Sequence, residues 1–137
     1  MEEKLRPTST SMQASEYGKI LIVDDNESNV KFLTILLSKV GYNILTTFNA
    51  KTAIDLANSE LPHLILMDIM MPELDGFEAI KILKDTDNTK HIPVIAVTAY
   101  AMKGDKEKIL KSGFNDYISK PIDYKELLEK INKLTNN

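Results

Sequence analysis

Apolar residues fall in five short runs along the chain, separated by longer stretches in which apolar and polar positions follow a helical period. Strands alternating with helices are typical of βαβ units, in which helices cover both faces of a parallel sheet. The pattern therefore predicts an α/β fold, a doubly wound parallel sheet of five strands with five helices. The predicted strands lie at 20–23, 42–48, 64–67, 94–97 and 117–119, and the predicted helices at about 26–40, 49–60, 75–85, 102–112 and 123–134.

Residues at the predicted helix ends agree with this assignment. Gly41 follows the first helix and predicts a C-terminal cap, while Asn49 predicts an N-terminal cap for the second. In the last helix, apolar residues recur at helical spacing, and we expect that side to be buried. Its members are Tyr124, Leu127, Leu128, Ile131 and Leu134.

The chain of 137 residues has the length of one domain, and its 43% hydrophobic content is enough to build a core. The first 18 residues differ from the rest, because they are polar, contain Pro7 and show no apolar periodicity. We interpret residues 1–18 as a flexible lead or linker and expect residues 19–137 to form a single domain.

Composition and charge exclude several classes of function. With 17 basic and 20 acidic residues, the net charge of −3 gives no sign of nucleic-acid binding. The absence of cysteine excludes disulfides and thiolate metal sites and fits a reducing compartment. No apolar run approaches the roughly 18 residues that span a bilayer. We therefore expect a cytoplasmic domain without membrane insertion or nucleic-acid partner.

Polar side chains follow four of the five predicted strands. Asp24 and Asp25 come after ILIV and Asp68 after LILM, while Thr98 follows VIAV and Lys120 follows DYIS. In open α/β sheets, ligands bind outside the carboxyl ends of the strands, so these groups are expected to meet at one edge. The second strand ends without a carboxylate, as an edge strand away from the site would.

Each of these residues alone has an ordinary explanation, since Asp24-Asp25 and Thr98 suit helix caps and Lys120-Pro121 suits a turn. Together they are harder to explain, because two charges about 4 Å apart repel by roughly 4 kcal/mol at an effective dielectric of about 20. Oxygen ligands without cysteine or a nearby histidine favour Mg²⁺. A cation beside a carboxylate, a hydroxyl and an ammonium group suits phosphoryl transfer, with Asp68 as the nucleophile.

Four segments resemble the receiver domain of two-component response regulators, and the resemblance covers about residues 19–134. It implies the flavodoxin-like strand order 2-1-3-4-5. It also implies a signalling phosphoacceptor that assists its own phosphorylation and dephosphorylation, rather than an enzyme. The donor would be a phosphohistidine on a histidine kinase or a histidine phosphotransfer domain. The segments are ILIVDD at 20–25, LILMDIMMPELDG at 64–76, AVTA at 96–99 and YISKP at 117–121.

The resemblance assigns roles at the acidic site. Asp68 is similar to the phosphoacceptor of the family. Asp25 resembles the direct Mg²⁺ ligand of the acidic pair, and Asp24 would act mainly through water. The backbone carbonyl of Met70 would supply a further ligand.

The resemblance also implies how phosphorylation is reported. Thr98 and Tyr117 resemble the switch pair, in which the hydroxyl turns toward the phosphoryl group and the aromatic ring moves inward behind it. Lys120 is similar to the lysine that pairs with a phosphoryl oxygen, and its peptide bond to Pro121 is expected to be cis.

Partner docking and signal lifetime can be assigned to further positions. At about 100° per residue, the core stripe of the first helix centres near Leu33, which leaves Ile35 opposite and Phe32 a quarter turn away. In the family this helix packs against the partner's helical bundle, although single exposed apolar residues are also common without a partner. Met70 and Tyr100 are expected to shield the phosphoryl group from water, unless they only pack over the site.

Two alternatives stay open at this point. The chain could be a C-terminal receiver excised from a hybrid histidine kinase. A more distant alternative is an aspartate-nucleophile phosphatase, although such an enzyme needs a second acid where Met70 stands. His63 and His91 are interpreted as surface residues rather than phosphoryl carriers.

Overall fold

A computed structural model of the chain describes residues 18–99 and 103–135. It confirms five strands that alternate with five helices. The predicted lead lies outside the described residues except for Gly18. The elements are β1 (Lys19–Val23), α1 (Glu27–Val40), β2 (Asn43–Thr47), α2 (Ala50–Glu60), β3 (Leu64–Asp68), α3 (Gly76–Asp85), β4 (Val94–Thr98), α4 (Lys103–Lys111), β5 (Asp116–Ser119) and α5 (Tyr124–Thr135).

The five strands form one parallel sheet in the order β2-β1-β3-β4-β5. This is the predicted order, and β2 is an edge strand as expected. The central strand β3 has all five of its residues buried. Because every strand runs in the same direction, all five carboxyl ends reach the same edge of the sheet.

The core consists of two apolar clusters, one on each face of the sheet. Successive residues of a strand point to opposite faces, so Leu21 of β1 lies in one cluster and Ile22 in the other. Buried residues of α2, α3 and α4 complete the first cluster, and those of α1 and α5 complete the second. Among residues 18–99 and 103–135, no helix has both the length and the apolar character that crossing a membrane requires.

The two predicted caps are present, one at the end of α1 and the other at the start of α2. Asn49 accepts a hydrogen bond from the backbone N–H of Thr52 at 2.8 Å and so caps α2. Gly41 has φ +125°, and its N–H donates to the carbonyl of Leu37 at the end of α1. A left-handed conformation of this kind costs glycine little, which explains why α1 ends there.

The predicted burial of α5 is wrong at one residue. Tyr124 is 48% exposed, because the whole first turn of α5 is exposed and contact with the core begins one turn later, at Leu127. Leu127 and Ile131 are fully buried, while Leu128 and Leu134 are partly buried against the same cluster.

Candidate functional site

The carboxyl edge of the sheet brings together the polar residues that follow its strands. Asp68 is the last residue of β3 and Thr98 the last residue of β4, and both side chains are buried. Asp24 follows β1 and is also buried, whereas Lys120 follows β5 and is partly exposed. The ends of β1, β3 and β5 therefore converge as expected, because the side chain of Lys120 contacts both Asp24 and Asp68.

Three carboxylates cluster at this edge. Asp24, Asp25 and Asp68 each offer an oxygen, and these oxygens all lie within 4.8 Å of one another. Asp25 is exposed and the other two are buried. Hard oxygen donors at this spacing, with one side open to solvent, fit a divalent cation such as Mg²⁺ that retains several waters.

The ammonium group of Lys120 reaches two of the three carboxylates. Its Nζ lies 3.2 Å from Asp68 Oδ2 and 3.5 Å from Asp24 Oδ2. The backbone N–H of Lys120 donates to the carbonyl of Thr98 at 2.8 Å, which continues the β4–β5 pairing by one residue. The Lys120–Pro121 peptide bond is cis, as expected from the sequence.

The site has three carboxylates and the ammonium group of Lys120, and this excess of negative charge contributes to the raised pKa values of both Asp68 and Lys120. Burial raises the pKa of Asp68 above its ordinary value, and the charge of Asp24 raises it further. The ammonium group of Lys120 and the N–H of Met70 lower this pKa, but they offset only part of the rise. Burial acts to lower the pKa of Lys120, yet Asp68 and Asp24 outweigh it, so that pKa is raised. A bound cation would supply the missing positive charge.

The loop after β1 holds Asp24 by hydrogen bonds to the start of α1. Asp24 Oδ1 accepts from the N–H of Asn26 at 2.9 Å, and Asp24 Oδ2 accepts from Asn29 Nδ2 at 3.3 Å. Asn26, whose side chain accepts from the N–H of Asn29, is the N-cap of α1. The interpretation of the Asp24–Asp25 pair as a helix cap is therefore wrong, because the next residue has that role.

The loop after β3 holds Asp68 in a similar way. The backbone N–H of Met70 donates to Asp68 Oδ1 at 3.1 Å. The loop then folds back so tightly that a Cβ added at Gly76 would lie 2.7 Å from the Cα of Ile69. Asp75 and Glu78 form a capping box at the start of α3. The sequence indicated a turn at Asp75-Gly76, but the need for glycine against Ile69 is visible only in three dimensions.

The remaining predicted site residues differ in their exposure. Met70 is 58% exposed, and Phe32 and Ile35 on α1 are 52% and 49% exposed. Tyr117 lies on β5 and is partly buried. Tyr100 lies outside the described residues, so its predicted position over the site stays a prediction.

Both histidines are exposed, as predicted. His63 precedes β3 at the opposite edge of the sheet, where its Nδ1 accepts from the backbone N–H of Lys19 at 3.0 Å. The second strand was predicted to include Phe48, but β2 ends at Thr47, whose carbonyl accepts from the N–H of Asp24, and Phe48 is 46% exposed.

Residues 20–132 match the family model described as the response regulator receiver domain. The polar-differentiation response regulator DivK of Brucella anthropi is 51% identical over 112 residues, which are 82% of this chain and 91% of that protein. DivK of Brucella ovis is 49% identical over the same shares of the two chains.

Solved structures show the same similarity. The receiver domain of the Francisella response regulator 1452 has a TM-score of 0.81 and 33% identity, over 87% of this chain and 97% of that one. The receiver domain of the sensor histidine kinase PA1611 from Pseudomonas aeruginosa has a TM-score of 0.81 and 32% identity, over 88% and 98%. That structure is described with a magnesium ion coordinated in its active-site cleft.

Proposed function

As a member of the receiver domain family of two-component response regulators, this chain is a phosphoacceptor in signalling, and we propose that Asp68 is the residue that accepts the phosphoryl group. One observation carries the proposal: Asp68 is a buried carboxylate at the end of the central strand, 3.2 Å from an ammonium group and clustered with two further carboxylates. A side chain in this setting is held rigidly and faces the charge that a phosphoryl group needs.

The acidic cluster is the proposed site of Mg²⁺. Asp25 and Asp68 would be direct ligands, together with the backbone carbonyl of Met70, and Asp24 would act mainly through water. The clustering of three carboxylate oxygens supports this assignment, as does the magnesium described in the related Pseudomonas structure. When bound, the ion would offset the negative charge of the transferring phosphoryl group.

Transfer requires few chemical groups from the protein. A carboxylate oxygen of Asp68 forms a bond to phosphorus while the bond between phosphorus and the donor histidine nitrogen breaks, and the electron pair of that bond stays on the imidazole. Lys120 pairs with one phosphoryl oxygen and the hydroxyl of Thr98 donates to another. The contact of Lys120 with Asp68 supports its part in this step.

The phosphoryl group would then be reported through Thr98 and Tyr117. The new charge favours a conformation in which the Thr98 hydroxyl turns toward it and the ring of Tyr117 moves inward. In this proposal the chain is a signalling protein that assists its own phosphorylation and dephosphorylation, and it turns over no separate substrate.

The proposed donor is a histidine kinase or a histidine phosphotransfer domain. Phe32 and Ile35 are the proposed contacts, because they are exposed apolar residues on α1, the helix that begins beside the acidic pair. The cysteine-free composition suits a reducing compartment, and we place this exchange in the cytoplasm.

Neither alternative is favoured. The identity to the response regulator DivK is 51%, against 32% to the receiver domain of the Pseudomonas sensor kinase, so similarity does not favour a receiver excised from a hybrid kinase. Membership of the receiver family, with Met70 where a phosphatase needs its second acid, disfavours the aspartate-nucleophile phosphatase.

The experiment that tests the proposed function is incubation with acetyl phosphate and Mg²⁺, followed by intact mass measurement. We expect one phosphoryl adduct in the wild type and none in Asp68→Asn. Asp87→Asn is the matched control, because the Asp87 side chain is almost fully exposed, pairs only with the exposed Lys90 among the ion pairs of the described residues, and does not belong to the acidic cluster. An adduct that persists in Asp68→Asn, or that forms equally well in EDTA, would contradict the proposal.

A further inference from the structure

The side chain of Tyr117 lies between two lysines on different helices. Lys130 of α5 places its Nζ 4.7 Å from the centre of the ring, and Lys106 of α4 places its Nζ 5.5 Å from the same point. Both distances are within the range in which an ammonium group is attracted to an aromatic face. Since β5 is an edge strand, the two helices can reach this ring from either side of the sheet.

Lys130 is fixed in place by more than the ring. Its Nζ donates to the backbone carbonyl of Tyr117 and to Asp116 Oδ1 at 3.2 Å, and it lies 3.3 Å from Glu126 Oε2. Asp116 Oδ1 also accepts from the backbone N–H of Tyr117 at 2.8 Å. Burial acts to lower the pKa of Lys130, but the two carboxylates outweigh it and raise that pKa. The ammonium group is therefore charged at neutral pH and stays beside the ring.

A pocket borders the apolar cluster behind the ring. Tyr117 is partly buried against the cluster formed by α2, α3 and α4, which includes Ile69 and Ile109. The same two residues line a pocket of about 200 Å³ that is partly open to solvent; its lining is mostly apolar and includes Thr98, together with the charged residues Asp105 and Lys108. A ring that left the two lysines would thus have apolar space nearby, on the side of Thr98.

From these contacts we infer that Lys130, assisted by Lys106, is a positioning residue that holds the Tyr117 ring in its partly buried position between α4 and α5 in the unphosphorylated protein. The inference rests on the proposed function, in which Tyr117 belongs to the switch pair, and it adds the residues that set its resting position. Lys130 touches neither Asp68 nor the metal ligands, so it acts on the site only through Tyr117.

Thermodynamic linkage gives this inference a measurable consequence. If a phosphoryl group favours the inward ring, then releasing the ring must strengthen binding of a phosphoryl mimic by the same factor. Loss of one cation–π contact corresponds to a change of about two- to fivefold at the lower end of the range for such contacts, which we apply to the partly buried Lys130. Beryllofluoride is a suitable probe, because its beryllium coordinates a carboxylate oxygen reversibly and its affinity is therefore an equilibrium quantity.

The test compares Lys130→Met, which keeps the length of the side chain but removes its charge, with Lys130→Arg, which keeps the charge. NMR measures NOEs between the ring protons of Tyr117 and the methyl group of Thr98. We expect these NOEs to strengthen in Lys130→Met and to stay at wild-type strength in Lys130→Arg. Lys125→Met on the exposed first turn of α5 is the matched control.

The second measurement is the affinity for beryllofluoride in Mg²⁺. We expect it to rise about two- to fivefold in Lys130→Met, and to rise in the same direction in Lys106→Met. The structure gives Lys106 a ring contact with Tyr117, so its variant separates the effect of the cation from that of the Lys130 hydrogen bonds.

Unchanged NOEs in Lys130→Met would overturn the inference. Stronger NOEs without a change in affinity would also overturn it, because Lys130 would then pack against the ring without influencing the switch. A wild type that forms no acetyl phosphate adduct would instead reject the proposed function, and the NOE comparison would still decide whether Lys130 holds the ring.

Discussion

Asp68 illustrates how burial and charge act on a single residue at this site. Its carboxylate is largely removed from water and faces Asp24, and the ammonium group of Lys120 is shared between the two acids. Where water is excluded, the attraction between the carboxylates and a metal ion, or between Lys120 and a phosphoryl group, is screened less. The same features that make the free carboxylate unfavourable therefore make the site receptive to a cation and a transferring phosphoryl group.

The first prediction follows from the raised pKa of Asp68. The folded protein binds a proton at this residue more readily than the unfolded chain does, so stability falls as the pH rises above the ordinary value of 3.8. At pH 7 in EDTA, Asp68→Asn removes this loss and should raise the melting temperature by roughly a few degrees. Thermal unfolding followed by circular dichroism measures the change.

The control for this prediction is Asp87→Asn, whose carboxylate is solvated. Its melting temperature should match the wild type. The advantage of Asp68→Asn should also shrink as the pH is lowered toward 3.8, because the wild-type residue then becomes neutral. An advantage that did not depend on pH would assign the effect to packing rather than to charge.

The second prediction concerns the lifetime of the phosphorylated state. Hydrolysis needs a water in line with the phosphorus, and an exposed apolar side chain at Met70 gives such a water no hydrogen-bond partner. Met70→Asn combined with Tyr100→Glu should therefore speed loss of the phosphoryl group by several-fold. The decay of phosphoprotein in Mg²⁺ after removal of acetyl phosphate measures this rate.

Met70→Leu is the matched control for the lifetime, because it keeps an apolar side chain of similar volume. It should decay at the wild-type rate. Equal or slower decay of the double variant would refute the shielding role of these two residues.

At the scale of residues, the sequence indicated the candidate site residues that follow strands. It did not indicate the residues that hold their side chains in place. Asp68 and Lys120 could be found because strand ends converge and because the motifs resemble a known family. Asn29 could not, because its contact with Asp24 depends on how α1 leaves the loop. Lys130 could not either, since one lysine of a charged helix face looks like any other until its distance to Tyr117 is known.

At the scale of elements, local signals were sufficient where the end of a helix is determined by one residue. Gly41 and Asn49 end and begin their helices as the sequence indicated. The assignment was wrong at the first turn of α5, where Tyr124 follows the apolar period but is exposed. Periodicity gives the direction of a side chain around the helix axis, but it does not give the length of the surface that the helix covers.

The third prediction belongs to α1 and its exposed side. Ile35→Ala should slow phosphotransfer from a histidine phosphotransfer domain about five- to thirtyfold, the effect of losing a binding contact worth about 1–2 kcal/mol. The donor is the phosphotransfer domain that phosphorylates the wild type fastest in a panel from the source organism. Phosphorylation by acetyl phosphate should not change, because this donor makes no contact with α1.

Ile82→Ala supplies the control for docking, since Ile82 is similarly exposed but lies on α3. It should leave both reactions unchanged. If Ile35→Ala slowed both reactions equally, the defect would lie in the site and the docking assignment would be rejected.

At the scale of the whole molecule, the two faces of the sheet are covered by different helices, for which we propose different tasks. α1 and α5 pack on one face, and α1 begins beside the acidic pair where a donor must approach. α2, α3 and α4 pack on the other face, which contains the pocket beside Thr98. The ring of Tyr117 lies at the edge of the sheet. Among the cation–π contacts found in residues 18–99 and 103–135, it is the ring that lysines of both α4 and α5 contact. In the inference above, a change at Tyr117 would therefore affect contacts with helices on both faces.

The fourth prediction uses the stability of the whole fold to detect the metal site. Mg²⁺ that binds the folded acidic cluster and not the unfolded chain stabilises the protein by RT ln(1 + [L]/Kd), about 1.4 kcal/mol when the ion is at ~9 times its Kd. Urea unfolding with and without Mg²⁺ measures this gain.

In Asp25→Ala the gain should vanish, while stability in EDTA should rise because one of three mutually repelling carboxylates is gone. Asp55→Ala, on the exposed side of α2, should keep the full gain. An equal response to Mg²⁺ in the wild type and Asp25→Ala would show that the ion binds elsewhere.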